Sequence, residues 1–229
     1  IIPKPFDPRL IAKIPPAVAK AAMDSGVAES PILDWDKYEE RLLNRMNADN
    51  KIVRLLFDTA KSNPKRVVFA EADQLDVLKA AQIVHEEGIA NPILLGNKKQ
   101  IEHLKNELEF YADVPIIDPK HDDHNDKKNK YGEVFWSHQK RRGQTLFSAQ
   151  KLMRERNYYA AMMVNEGDAD ALITGYSRSY PSVVKPMLDL IGLAPGSTRI
   201  ATTNVMITQR GPMFLSDTAI NINPTAHDL

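Results

Sequence analysis

Apolar positions along this chain recur with two different periods, and the change near Lys65 divides the sequence. Before it the spacing is helical. Ala17 to Ser25 is Ala-rich and of high helix propensity, with Pro15 and Pro16 ahead of it and Gly26 as its stop. Asp34 opens a second helix that sets Tyr38, Leu42 and Met46 on one face against Glu39, Glu40, Arg41 and Arg45. Ile52, Val53, Leu55, Leu56 and Phe57 extend this as a helical arm that either packs on the following domain or makes an oligomer contact.

From Lys65 onward, apolar runs of strand length alternate with helical stripes. Arg66–Glu71, Pro92–Gly96 and Val114–Ile117 read as strands. Val77, Ala80, Ala81 and Val84, then Ile101, Leu104 and Leu108, read as the intervening helix faces, the first ended by Gly88. Tyr131, Val134, Phe135 and His138 form another stripe, with His138 read as packed or end-capping. Thr145 is placed to cap a helix that turns Leu152 and Met153 inward. Asp170–Gly175 reads as a buried strand, followed by a helix over Val183–Ile191. Strands alternating with helices predict an α/β domain with a mostly parallel sheet. Arg199–Thr208 and Met213–Thr218 then alternate as two strands around a turn at Gln209–Pro212, and such a pair needs a covering surface. Asp217 and Asn221 read as polar residues that organise a strand end.

Composition narrows the function classes. Thirty basic and thirty acidic residues cancel, so no global charge points to nucleic acid or an anionic membrane as a partner. The absence of Cys excludes disulfides, zinc–thiolate sites and a cysteine nucleophile, and fits a cytoplasmic setting. No apolar run reaches membrane-spanning length. The Pro-rich start without Met is read as part of a longer chain rather than a signal peptide.

Two stretches carry candidate chemistry. Residues 118–130 form a charged loop in which His121, His124, Asp122, Asp123 and Asp126 have metal-ligand chemistry but no metal-motif spacing, so a solvated loop is expected. The sharper candidate is the end of the 170–175 strand, because clefts in open parallel sheets lie beyond the C-terminal ends of the strands. Thr174, Gly175, Ser177, Arg178 and Ser179 stand there, with Lys185 on the next helix. Gly permits close backbone approach, hydroxyls and free amides donate, and a helix N-terminus adds positive potential, so an anion is the expected ligand. Arg141 and Arg142, just before Gly143, suit either a helix C-terminus or that ligand.

Three ordered segments, Phe69–Gly96, Asp170–Gly175 and Phe214–Leu229, resemble phosphotransacetylases in order and spacing. Residues 1–28 resemble the end of the nucleotide domain of bacterial malic enzymes. The resemblance implies the phosphotransacetylase fold, related to the isocitrate and isopropylmalate dehydrogenase architecture, with two α/β domains of which the second is truncated here. On that basis residues 1–28 are a malic-enzyme tail, 29–50 a helical connector, 51–188 domain I and 189–229 the start of domain II. Active relatives move an acetyl group between acetyl phosphate and coenzyme A in the cleft between the two domains.

Two positions depart from the family pattern: Gln139 and Lys185 stand where relatives carry arginine. A guanidinium grips phosphate oxygens as a fork, whereas Lys is a point charge and Gln is neutral. The resemblance therefore implies a regulatory module that binds acetyl-CoA or a similar acyl-CoA and promotes homo-oligomerisation. The parent would be an NADP-dependent malic enzyme that oxidatively decarboxylates malate to pyruvate, with NADP and a divalent metal held upstream. An active phosphate acetyltransferase or butyryltransferase, taking acyl phosphate and CoA, is one alternative; a purely structural assembly module is the other. No catalytic residue and no metal ligand is assigned within this stretch.

Overall fold

The computed structural model describes residues 9–44, 50–121, 126–208 and 211–226. They divide into two compact units, one of residues 59–200 and one drawn from residues before 59 and after 200.

In the smaller unit, helix α1 spans Arg9–Asp24 and α2 Trp35–Asn44. The α1 helix starts earlier than expected and runs through Pro15 and Pro16, although each removes an amide donor from the ladder. The reason is visible in the packing: Ile11, Pro15, Ala19, Ala22 and Met23 share one half-buried face at helical spacing. Asp34 does cap α2, accepting from the Lys37 amide at 2.9 Å. Helix α3 (Asn50–Ser62) follows; Arg45 and Met46 lie outside the described residues.

The other segment of this unit is an antiparallel hairpin, β5 (Thr203–Thr208) and β6 (Gly211–Ser216), registered from Thr203 opposite Ser216 to Thr208 opposite Gly211. Its turn residues Gln209 and Arg210 are outside the described residues. Val205, Met206, Met213 and Phe214 are all exposed. Asp217 closes the hairpin, accepting from the amides of Thr202, Ala219, Ile220 and Asn221.

The larger unit is a three-layer α/β sandwich. Strands β1 (Lys65–Phe69), β2 (Ala90–Leu95), β3 (Ile116–Ile117) and β4 (Ala171–Ile173) form a parallel sheet in the order β3-β2-β1-β4. Successive strand residues face opposite ways. Phe69 and Leu94 therefore pack under α4 (Leu75–Glu86) and α5 (Lys98–Glu107), with Leu78, Ala81 and Ile101. Val68, Ala70, Ile93 and Leu95 face the other layer: α6 (Asp126–Gln139), α7 (Leu146–Leu152), α8 (Arg156–Asn165) and α9 (Tyr180–Leu190). Gly132 lets α6 lie close on α7, since a Cβ there would come within 2.9 Å of the Gln150 Cα.

Four local expectations need correction. The 170–175 strand is not buried: β4 is the edge strand, paired with β1, and Ile173 is 52% exposed. It is held at its start by Arg66, whose backbone amide and two guanidinium nitrogens donate to the Asp170 carboxylate and draw that carboxyl down to about 2. The 118–130 stretch is not all loop, because α6 begins at Asp126, with Lys127 and Tyr131 anchored on Asp168. Of the two readings of His138, the packed one fails, since it is exposed, while its place in the last turn of α6 agrees with the other. Finally, α8 had no counterpart in the periodicity. It is buried on every side from Asn157 through Met163, and a helix surrounded by protein shows no stripe.

Candidate functional site

The strand order places a topological switch between β1 and β4: the chain runs β1, β2, β3 in one direction and returns to β4 on the other side of β1. Crevices for ligands in such sheets form at this point, beyond the strand C-termini. Here the crevice is occupied by a side chain of the protein itself. Glu71, two residues past β1 and 1% exposed, receives the Gly175 and Tyr176 amides on Oε1, each at 2.9 Å. Its Oε2 receives the Ser177 amide at 2.8 Å and the Ser177 hydroxyl. Gly175 adopts φ +102°, a backbone shape that lets consecutive amides converge on one anion. Burial raises the Glu71 carboxyl, but the Ser177 hydroxyl and the three amides outweigh it and hold it below the usual range.

Sequence reasoning expected an external anion at this strand end; the Gly175, Tyr176 and Ser177 donors are instead taken by a carboxylate more than a hundred residues away in the chain. Thr174 is also engaged, donating to Asn157 Oδ1 at 2.8 Å, while Asn157 reaches the Ser182 carbonyl at 3.4 Å. Ser179 is the N-cap residue of α9, and its carbonyl accepts the Ser182 hydroxyl at 2.7 Å.

Arg178 is placed differently. It lines a cavity of about 340 Å3 with Asp73, Asn97, Asp118, Lys120, Arg154 and Arg156, formed where the loops after all four strands meet. Arg156 pairs with Asp73 through its two terminal nitrogens, Nη1 and Nη2, at 2.7 and 3.0 Å. Desolvation lowers the Arg156 pKa, but Asp73 more than offsets it and the group is raised. Asp118 accepts from the Lys98, Lys120 and His121 amides and from the His121 ring. Burial raises this carboxyl, and the His121 ring and the amides pull it below its ordinary value. Asp73, Arg154 and Arg156 were not singled out from sequence; Asp73 follows β1, whereas Arg154 and Arg156 come from the turn between α7 and α8, which no local pattern marks as part of the site. His124, Asp122 and Asp123 lie outside the described residues, and among the described residues no group of three carboxylates or imidazoles is arranged to hold a metal.

Lys185 belongs to a separate cluster. Its Nζ lies 2.8 Å from Asp189 Oδ2, which also accepts the Tyr158 hydroxyl at 2.8 Å, while the Gln139 side-chain amide donates to the Asp189 carbonyl. Burial raises Asp189, and Lys185 and Tyr158, with Arg142 nearby, bring it below the ordinary carboxylate range. Arg141 and Arg142 sit in the exposed 3-10 turn that follows α6 and ends at Gly143. The candidate residues are therefore dispersed: Gly175 and Ser177 in the Glu71 nest, Arg178 in the cavity beside it, Lys185 in the Asp189 cluster, and Arg141 and Arg142 on an exposed turn.

Comparison with known proteins matches this chain to one family. Residues 51–229 match the family described as phosphate acetyl/butaryl transferase. The whole chain aligns at 39% identity with an NADP-dependent malic enzyme of Haemophilus influenzae, spanning 31% of that protein's length. Among solved structures, a phosphotransacetylase from Staphylococcus aureus superposes with a TM-score of 0.69 at 27% identity, over 78% of this chain and 53% of that one. A phosphotransacetylase from Streptococcus pyogenes gives 0.66 at 31%, over 77% and 54%. The chain thus spans about a third of the malic enzyme and about half of each transferase. Matched over residues 51–229, more than three quarters of its length, the chain belongs to the phosphate acetyl/butaryl transferase family.

Proposed function

We propose that this chain is the phosphotransacetylase-like, acyl-CoA-binding and oligomerising module of an NADP-dependent malic enzyme, acting as an allosteric regulatory part rather than as a transferase. The observation that carries the reading is the Asp189 cluster. Gln139 and Lys185, at the two positions where the resemblance expects arginines, both bond to Asp189. Neither supplies a fork for phosphate oxygens, and the Lys185 charge is answered within its own helix. Residues 51–188 are domain I in this reading and 189–229 the start of domain II, with 1–28 the tail of the malic enzyme's nucleotide domain. Arg178 anchors the acyl-CoA, on the turn that Thr174, Gly175 and Ser177 hold in place. The exposed apolar residues of the β5–β6 hairpin are in keeping with an assembly surface.

The intact protein tests this in two assays. Malate oxidation should change with added acetyl-CoA, and CoA-dependent formation of acyl phosphate should be negligible, since each lost donor to developing charge removes about 100-fold or more. Transferase turnover at an ordinary enzymatic rate, on the order of 10 per second, overturns the reading. So does a protein that neither binds acetyl-CoA nor responds to it.

A further inference from the structure

Two exposed turns of the larger unit carry opposite charge, each around an aromatic side chain left in solvent. The first joins α6 to α7. Lys140, Arg141 and Arg142 are exposed there, and Phe147, in the first turn of α7, is 78% exposed. Gly143, at φ +85°, turns the chain between them. Lys140 lies over the Trp136 ring at 5.6 Å. Arg142 is within electrostatic reach of Asp189, but Lys185 already answers that carboxylate at 2.8 Å. The second turn follows α5. Glu107, Glu109 and Asp113 are exposed there around Tyr111, which is 76% exposed. Phe110 beside it is buried and anchors the turn. Lys105 lies 5.1 Å from that ring and donates to the Ala112 carbonyl at 2.8 Å. Among the described residues, none of these three carboxylates and none of the three cations has an ion-pair partner.

A single exposed aromatic residue is ordinary on a protein surface. An aromatic framed by three unanswered charges of one sign is not, and the two turns complement each other in charge. We infer that the 140–147 turn of one copy of this chain docks on the 107–113 turn of a second copy. One copy cannot join its own two turns. The first belongs to the α6–α9 layer and the second to the α4–α5 layer, and the parallel sheet lies between them. Phe147 and Tyr111 form the apolar centre of the contact and the six charges its rim, the usual division of an interface. Opposite rim charges steer the encounter and set the register. The contact is head-to-tail, so each pair leaves one turn of each kind unused, and the contact repeats until a ring closes. This inference rests on the oligomerising part of the function proposed above and is independent of the acyl-CoA part.

Sedimentation velocity of the full-length protein over a concentration series tests the contact by exchanging charge. Arg141→Glu with Arg142→Glu sets acid against acid. Glu107→Lys, Glu109→Lys and Asp113→Lys together set base against base. Each variant alone should associate about 10-fold or more weakly than the parent, because like charges then face each other. An equimolar mixture of the two should recover the parent's association to within about 3-fold, because every pairing in the mixture is again of opposite sign. Phe147→Ser removes an aromatic centre without touching a charge and should weaken association by about 10-fold. The substituted side chains are exposed, and circular dichroism confirms that each variant is folded.

Weakening in both charge variants with recovery on mixing establishes the contact between copies. Weakening in both without recovery overturns it, because the two turns then do not meet each other. Oligomers that ignore all three variants also overturn it and leave the oligomerising reading standing on another surface. A parent that stays monomeric throughout the series overturns both, whatever its response to acetyl-CoA.

Discussion

Glu71→Gln isolates the internal anion of the switch crevice. The substitution keeps the size of the side chain and one carbonyl oxygen, but sets an NH2 group where the other oxygen stood. Two of the four donors on Glu71 are then opposed by a donor: either the Gly175 and Tyr176 amides or the Ser177 amide and hydroxyl. A hydrogen bond to a charged group contributes about 1.5–3 kcal/mol. Gly175, Tyr176 and Ser177 are exposed, so water recovers part of the loss, and a hydroxyl can rotate toward solvent. A net destabilisation of about 2–3 kcal/mol is expected, a drop of roughly 5–10 °C in melting temperature for a unit of this size.

Urea denaturation at pH 7 measures the stability, and hydrogen exchange of the 174–178 segment should show faster exchange in the variant. The effect also has a defined pH dependence. The folded Glu71 carboxyl is held below its ordinary value, so its stabilisation is complete above the unfolded value of about 4.3 and declines as the pH falls through the folded one. The gap between parent and variant must therefore narrow below about pH 4.3. An unchanged urea midpoint with equal exchange in the turn refutes the reasoning, as does a gap that stays constant as the acid limb is crossed.

Gly132→Ala should destabilise the larger unit by about 1–2 kcal/mol despite the better helix propensity of Ala, because the new Cβ meets the Gln150 backbone at 2.9 Å and α6 must move off α7; a melting temperature equal to or above the parent's contradicts this. Asp189→Asn should cost about 1–2 kcal/mol in urea denaturation, since it weakens the bonds from Lys185 and Tyr158 to a carboxylate that is one quarter exposed. That cost should shrink as the pH falls below the ordinary Asp value of about 3.9, because the folded carboxyl is held lower.

The period of apolar residues determined the α/β class, because a strand or helix covered on one face leaves its mark locally. β1 and β2, α4 and α5, and the Thr145 cap of α7, whose hydroxyl accepts the Ser148 amide at 3.2 Å, were all legible from neighbours in the chain. Legible too was that the turn after β4 offers donors to an anion, since Gly and hydroxyl residues after a strand are a local pattern; in the structure Gly175, Tyr176 and Ser177 do so. Tertiary structure alone decided what fills it. Glu71 meets Ser177 across 106 positions, and Arg156 meets Asp73 across 83. No pattern in sequence marks which of the thirty acidic residues will turn inward, because that choice belongs to the folded crevice. The same holds for α8, whose all-round burial erases the stripe that a half-exposed helix would show. It holds as well for Lys185, a free cation in sequence that Asp189, one helical turn on, neutralises once Tyr158 and Gln139 are packed beside it.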